Sequence, residues 1–225
     1  VDPFEGRKRV TSNIVAGVNT TQSIAVSPDD DAIWVAKGDH PVSHSECYRG
    51  FRISALLKGD RDRYDCDDLP GAKQLDANEE LALAEYAQAW TEYFDNRNED
   101  LALFHLRRAQ ELIPGEAVFS RMAGFLLLKG RKYAQALPFL IQNSRYDYKD
   151  DLMRCESHLW LGRCLDLLGR RDEAKEQYKR ARDLGGSPLS DVAYRHMKKP
   201  FRSWELLDMS PDFVVGTALA KYRAK

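Results

Sequence analysis

A chain of 225 residues that is 43% hydrophobic and 31% charged has the make-up of a globular protein with a substantial core, which excludes disorder throughout. Its 34 Lys and Arg nearly cancel its 35 Asp and Glu, and a net charge of −1 gives no field to draw it to nucleic acid or anionic lipid. No apolar run approaches the roughly 18 residues of a membrane span.

The chain opens on "VDPFEGRKRV", beginning with Val1, with no turn or cap to start a domain, and the expectation is that it continues something longer. Residues 10 to 57 then read as strands. "SNIVAGV" and "QSIAV" are rich in β-branched residues, "SPDDD" is a turn cluster, and "AIWVAKG" resumes the extended pattern. Gln22 to Gly38 is therefore a predicted hairpin, with a further strand at Tyr48 to Ile53.

Between them lies "GDHPVSHSECYRG", which brings His40, His44 and Cys47 together. Three such groups suit zinc, but Pro41 breaks any helix that would put both histidines on one face, and established zinc patterns carry a second ligand pair. A Cys47–His44 nucleophile lacks a third, orienting group. The stretch reads as a strand-to-strand loop, so neither a metal site nor a cofactor is expected. "DRDRYDCDD" has the alternating oxygens of a calcium loop without its glycine and glutamate. Residues 58–77 read as a polar linker.

Thr21 and Ser23 before an apolar strand, a Pro-Asp turn, Ile33 to Ala36, Gly38, Pro41 and the aromatic Tyr48 and Phe51 form a recognisable series. Over about residues 10 to 55 it resembles the closing strands of the acyl-coenzyme A:6-aminopenicillanic acid acyltransferase-like group of N-terminal-nucleophile hydrolases. The resemblance implies that residues 1–57 end a larger catalytic sheet, and that the nucleophile, an N-terminal cysteine, lies upstream. No catalytic residue is assigned in this chain. "QSIAVSPDDDAIWVA" is also similar to one hairpin of a β-propeller blade.

Helical spacing takes over after Asp76, which forms a capping pattern with Glu79. From Leu83 the sequence repeats itself. Trp90 aligns with Gly124 (124 − 90 = 34) and Ala102 with Ala136, while Gly162 follows Gly124 after 162 − 124 = 38 residues, the extra length lying in "SRYDYKDD". Cys155 and Cys164 sit nine residues apart on one helix, on opposite faces, and cannot pair. All four cysteines, at 47, 66, 155 and 164, read as free thiols, which favours a reducing, cytoplasmic setting; no targeting segment is evident.

A period near 34 with small residues at fixed places in two helices resembles the tetratricopeptide repeat. Leu161, Gly162, Leu165, Ala174, Tyr178 and Ala181 hold the signature places in the third copy, Gly124, Leu127 and Ala136 in the second, and Tyr93, Ala102, Ala109 and Pro114 in the first. Trp90 departs from the pattern, standing where a small residue is expected. The resemblance implies a groove along the first helix of each pair, lined by Ala87 and Thr91, by Arg121 and Phe125, and by Leu159 and Arg163. Arg121, Phe125, Leu159 and Arg163 are the candidate peptide-binding residues, the arginines for carboxylates and Phe125 as an apolar anchor.

After the third copy, "SPLSDVAYRHMKKP" and "SPDFVVGTALAKYRAK" each have a Ser-Pro start and a helix-like remainder. The predicted architecture is thus α+β and mainly α. Its parts are a β segment (1–57), a linker (58–77), three tetratricopeptide-like helix pairs (78–188) and capping helices (189–225). Two functions follow: the C-terminal portion of an amide hydrolase or acyltransferase whose repeats buttress it or recruit a protein, or a non-enzymatic adaptor binding a peptide in its groove. The expected partner is a protein or peptide, either a separate one or an upstream domain of the same protein, rather than nucleic acid or membrane.

Overall fold

The computed structural model describes residues 24–37, 47–60, 65–70, 76–148, 150–185, 188–213 and 217–220, in an α+β, mainly α chain. It divides into two compact units, Val1–Glu80 and Leu81–Lys225. "SNIVAGV", His40 and His44 lie outside the described residues.

The first unit holds an antiparallel sheet of β1 (Ile24–Ser27), β2 (Ala32–Lys37), β3 (Cys47–Arg52) and β4 (Asp65–Pro70) in that order. β1 and β2 form the predicted hairpin, with Ile24 opposite Val35 and Ser27 opposite Ala32. Its turn ends on Asp31, whose φ is 54°. The Asp31 carboxylate accepts the Ser54 N–H at 2.7 Å and the Ser54 hydroxyl. These bonds hold Asp31 below the usual carboxylate range and dock α1 (Ile53–Lys58), a short helix in a stretch expected to be extended.

β4 is a second correction, because it falls inside the predicted linker. "DCDDLP" has no strand propensity of its own, and its neighbours supply the reason it pairs. Arg49 meets the Asp65 carboxylate at 3.1 Å, Asp68 accepts the Gly50 N–H at 2.9 Å, and the Trp34 indole N–H reaches the Asp67 carbonyl at 2.9 Å. The ladder shifts register between Tyr48 and Gly50. A Cβ on Gly50 would lie 2.4 Å from the Asp67 carbonyl oxygen, so only glycine fits.

At the start of α2 (Ala77–Phe94), Asp76 and Glu79 cap reciprocally as their spacing predicts: each carboxylate accepts the other's N–H at 2.9 Å. There follow α3 (Glu99–Leu112), α4 (Ala117–Lys129), α5 (Tyr133–Ser144), α6 (Asp151–Leu167), α7 (Arg171–Asp183) and α8 (Pro188–Lys198). They form three helix pairs, α2 with α3, α4 with α5 and α6 with α7, followed by α8. A 2.6 Å Glu85–His105 hydrogen bond ties the first pair.

The turns carry the register. The residues with positive φ between paired helices are Arg97, Arg131 and Gly169, separated by 131 − 97 = 34 and 169 − 131 = 38. One detail of the sequence alignment is corrected. The backbone bond closing the second turn joins Lys132 N–H to Leu127 O and the third joins Arg170 to Leu165, but the first joins Asn98 to Glu92, one residue wider. With that extra residue, Gly124 corresponds to Ala89 (124 − 89 = 35). Ala89 is fully buried and Trp90 is 40% exposed, so the first pair has its small residue after all.

That residue matters because the helices meet there. A Cβ on Gly124 would lie 2.9 Å from Leu140 Cδ2, and one on Gly162 would lie 2.6 Å from Tyr178 Cε1. Leu140 can yield by a rotamer change. Tyr178 cannot, because its hydroxyl is held by Asp166 at 2.8 Å. Gly162→Ala is therefore expected to cost about 1–3 kcal/mol in urea unfolding, and Gly124→Ala less; equal costs would contradict this packing.

Beyond α8 the chain departs from the predicted capping helices. Pro200 interrupts the helical run, a 3-10 turn (Ser203–Asp208) follows, and β5 (Met209–Asp212) pairs with β6 (Thr217–Ala220). Among the described residues, α8 is the one of the two expected helices that forms, and the second expected stretch holds β5 and β6. Met209 and Phe213 are buried, and that burial outweighs the weak helical pattern around them.

Candidate functional site

In a bare stack of helix pairs the first helices would leave one face to solvent. Here every residue of α4 from Ala117 to Leu128 is buried, and α6 is buried over most of its length. The segment after α8 is what covers that face, running back along α6, then α4, then α2.

At α6 the Phe201 ring stands edge-on to Trp160 at 6.5 Å and lies 5.0 Å from the Arg163 guanidinium. The Phe201 N–H donates to Asp166 at 2.8 Å. At α4, Lys129 Nζ donates to the Met209 carbonyl at 2.7 Å. At α2, the Phe213 ring packs on Tyr86, Tyr93 and Phe94 at 5.5, 5.8 and 5.9 Å, and the Tyr86 hydroxyl donates to the Phe213 carbonyl at 2.6 Å. Burial pushes the Tyr86 phenol well above its ordinary range, so it remains a donor.

Asp166 organises the far end. Its fully buried carboxylate accepts from Arg171 at 2.9 and 3.0 Å, from Tyr178 and from Phe201. Arg171 in turn donates to the His196 and Met197 carbonyls at 2.7 and 2.8 Å, satisfying the last turn of α8. One carboxylate thus joins both helices of the third pair, α8 and the start of the returning segment.

All four candidate residues are buried, though not all by this cover. Arg121, Phe125, Leu159 and Arg163 are 3%, 0%, 0% and 1% exposed, so none is open to a partner in this structure. Arg163 lies over Trp160 at 4.3 Å, and Phe125 packs against Trp160 at 5.2 Å; together they floor the Phe201 position. Arg121 belongs to a different contact. Its guanidinium lies over the Tyr148 ring at 5.6 Å and reaches Met153 Sδ at 3.7 Å. Tyr148, from the longer loop of the second copy, clusters with Ala117, Met153 and Tyr146. Burial raises the Tyr148 phenol to about 12. Ala87 is exposed, and Thr91 donates its hydroxyl back to the Ala87 carbonyl at 3.3 Å. With the register corrected, the equivalent of Arg121 is Tyr86 (121 − 35 = 86), which does meet the segment.

Sequence reasoning passed over Tyr86, Lys129, Asp166, Phe201, Met209 and Phe213. The available sign was α4 itself, "AVFSRMAGFLLL", which is apolar on every side and so must be covered on every side.

His196 reports on this junction. It packs on the Tyr178 and Phe201 rings, each 5.4 Å away. Desolvation, then the nearby Arg163 charge, lower its pKa from 6.5 to about 3. The unfolded chain binds a proton that the native one refuses, so this contribution to stability is full above pH 6.5 and declines as pH falls toward 3. About 2 kcal/mol should be lost between pH 6.5 and 5. His158, also lowered by burial, adds in the same direction. His196→Phe should flatten the dependence of the urea midpoint on pH; an unchanged slope would contradict the assignment.

Cys155 and Cys164 face different neighbours, the Ala181 carbonyl at 3.3 Å and the Tyr133 carbonyl at 3.5 Å. Burial raises both thiols, Cys164 to about 12. Iodoacetamide on the native protein should mark the partly exposed Cys47 and Cys66 first, with mass mapping as the readout. Early labelling of Cys164 would contradict the packing. Among the described residues no group of three or more His, Cys, Asp or Glu could hold a metal ion, and no helix is long and apolar enough to cross a membrane. Asp65 and Asp68, from the calcium-like run, are engaged within the sheet.

No family model matches the chain, and no curated protein matches it. Among solved structures it is similar to the N-terminal domain of stress-induced protein-1 (STI-1) from C. elegans, at 17% identity and a TM-score of 0.49, covering 56% of this chain and 100% of that one.

Proposed function

We propose that the helical half is a tetratricopeptide-like protein-binding module whose first-helix face holds a polypeptide segment. The observation that carries this is the face's own occupant. Three of its side chains, Asp166, Lys129 and Tyr86, hydrogen-bond the backbone of residues 201–213 at successive helix pairs. Side chains that grip backbone at spaced points tolerate many sequences, which is what binding varied segments requires.

Selection from a displayed random-peptide library tests the reading. The full chain carrying Phe213→Ala should enrich peptides with spaced aromatic or Met anchors, and Lys129→Ala should weaken their binding. Failure to enrich any such set would count against it.

The hydrolase or acyltransferase parentage is carried by the resemblance of residues 10 to 55 alone. In that reading the sheet of the first unit is the end of a catalytic domain and the repeats buttress it. Intact-mass and N-terminal analysis of the protein from its own cells tests this: a companion chain beginning with cysteine supports it, and no such chain opposes it.

A further inference from the structure

The segment on the first-helix face differs from the helices beneath it in how it is held. It is fixed by Phe201 over Trp160 and Arg163, by the buried Leu206 and Met209, by the Met209 carbonyl on Lys129, by Phe213 among Tyr86, Tyr93 and Phe94, and by the pairing of β5 with β6. Between Phe201 and Met209, the 3-10 turn points large apolar side chains outward, with Trp204 62% and Leu207 72% exposed. At both of its ends and at Met209 the backbone of 201–213 is held by side chains of α6, α4 and α2. Pro200 separates this stretch from the last turn of α8. These are the features of a docked peptide that happens to be joined to its receptor.

We propose that residues 201–213 are an exchangeable occupant of the first-helix face, and that the face's partner is a segment carrying the same anchors, with a turn between the first two as in the tail. Those anchors are an aromatic residue over Trp160 and Arg163, an apolar residue such as Met eight positions on, and an aromatic four further (209 − 201 = 8; 213 − 209 = 4). The partner's chain runs from α6 to α2, the direction in which the tail lies. This rests on the binding function proposed above and adds that the face is closed in the resting chain and opens when the tail leaves. Joining the tail to its own site gives it a high effective concentration, so a partner must match the anchors well or find the tail already loosened.

The test uses a fluorescein-labelled peptide of residues 200–216 and the full chain, read by anisotropy. Met209→Ala with Phe213→Ala in the full chain should loosen the tail and bind the peptide at least tenfold more tightly than the unaltered chain does. Adding Lys129→Ala should weaken that binding again. Equal binding by the altered and unaltered chains would overturn the exchange while leaving a face that binds segments. No binding by either would overturn both.

Should the double variant not fold, hydrogen exchange on the unaltered chain decides. Amides of 203–213 should exchange through an opening that leaves α4 and α6 protected. Exchange of the tail only together with α4 and α6 would overturn the proposal.

Discussion

Asp166→Asn should destabilise the helical half by about 3 kcal/mol, the lower end for breaking a buried pair, because Arg171 keeps some access to water. The reason is the sign of what surrounds the carboxylate. Arg171, the Tyr178 hydroxyl and the Phe201 N–H all donate to it. An asparagine would turn an NH2 group toward donors and remove the charge that balances a guanidinium. The loss should spread, since Arg171 also satisfies the end of α8 through the His196 and Met197 carbonyls. Urea unfolding followed by circular dichroism measures the cost, and an Asp166→Asn, Arg171→Gln cycle should show strong coupling between the two sites. A cost under about 0.5 kcal/mol would mean that this carboxylate does not organise the junction.

Phe213→Ala should cost about 3 kcal/mol, near the bottom of the range for a buried phenylalanine, since one ring is lost from among Tyr86, Tyr93 and Phe94 while the backbone contact to Tyr86 remains. Its consequence should be local first. Tyr86 still reaches the backbone carbonyl at position 213, but the ring that kept water from that bond is gone. Chymotrypsin should then cut within 203–213 much faster than in the unaltered chain, near the exposed Trp204 and Leu207, while α4 and α6 resist. Uniform loss of all resistance would indicate that the tail and the helix pairs unfold as one.

Much of this fold was legible because it is written in local chemistry. The hairpin around "SPDDD", the reciprocal cap of Asp76 and Glu79, and the small residues at 124 and 162 each depend on near neighbours or on a repeated steric need. The misread parts depend on distant partners. One extra residue in the first turn displaced the alignment and made Trp90 stand where Ala89 does the packing. β4 is polar and became a strand because Arg49, Gly50 and Trp34 receive it.

The candidate site was half legible. Spacing found the first-helix face and put Phe125 and Arg163 on it, while its cover came from a stretch whose pattern resembled a helix. Nothing local in "SPDF" reveals that Phe213 belongs against Tyr86, 127 residues away (213 − 86 = 127). Arg121, expected to meet a ligand carboxylate, sits instead under Tyr148 of the lengthened loop.

The central claim is that residues 201–213 lie along the first-helix face and that Phe213 packs on α2. Aromatic nuclear Overhauser contacts in the full chain test it most directly, using selectively labelled Phe and Tyr with Phe213→Leu to assign the resonance. Cross-peaks from the Phe213 ring to the Tyr86 and Tyr93 rings, whose centroids lie 5.5 and 5.8 Å away, are the predicted result. A Phe213 ring with only solvent-like shifts and no contact to either tyrosine would contradict the account.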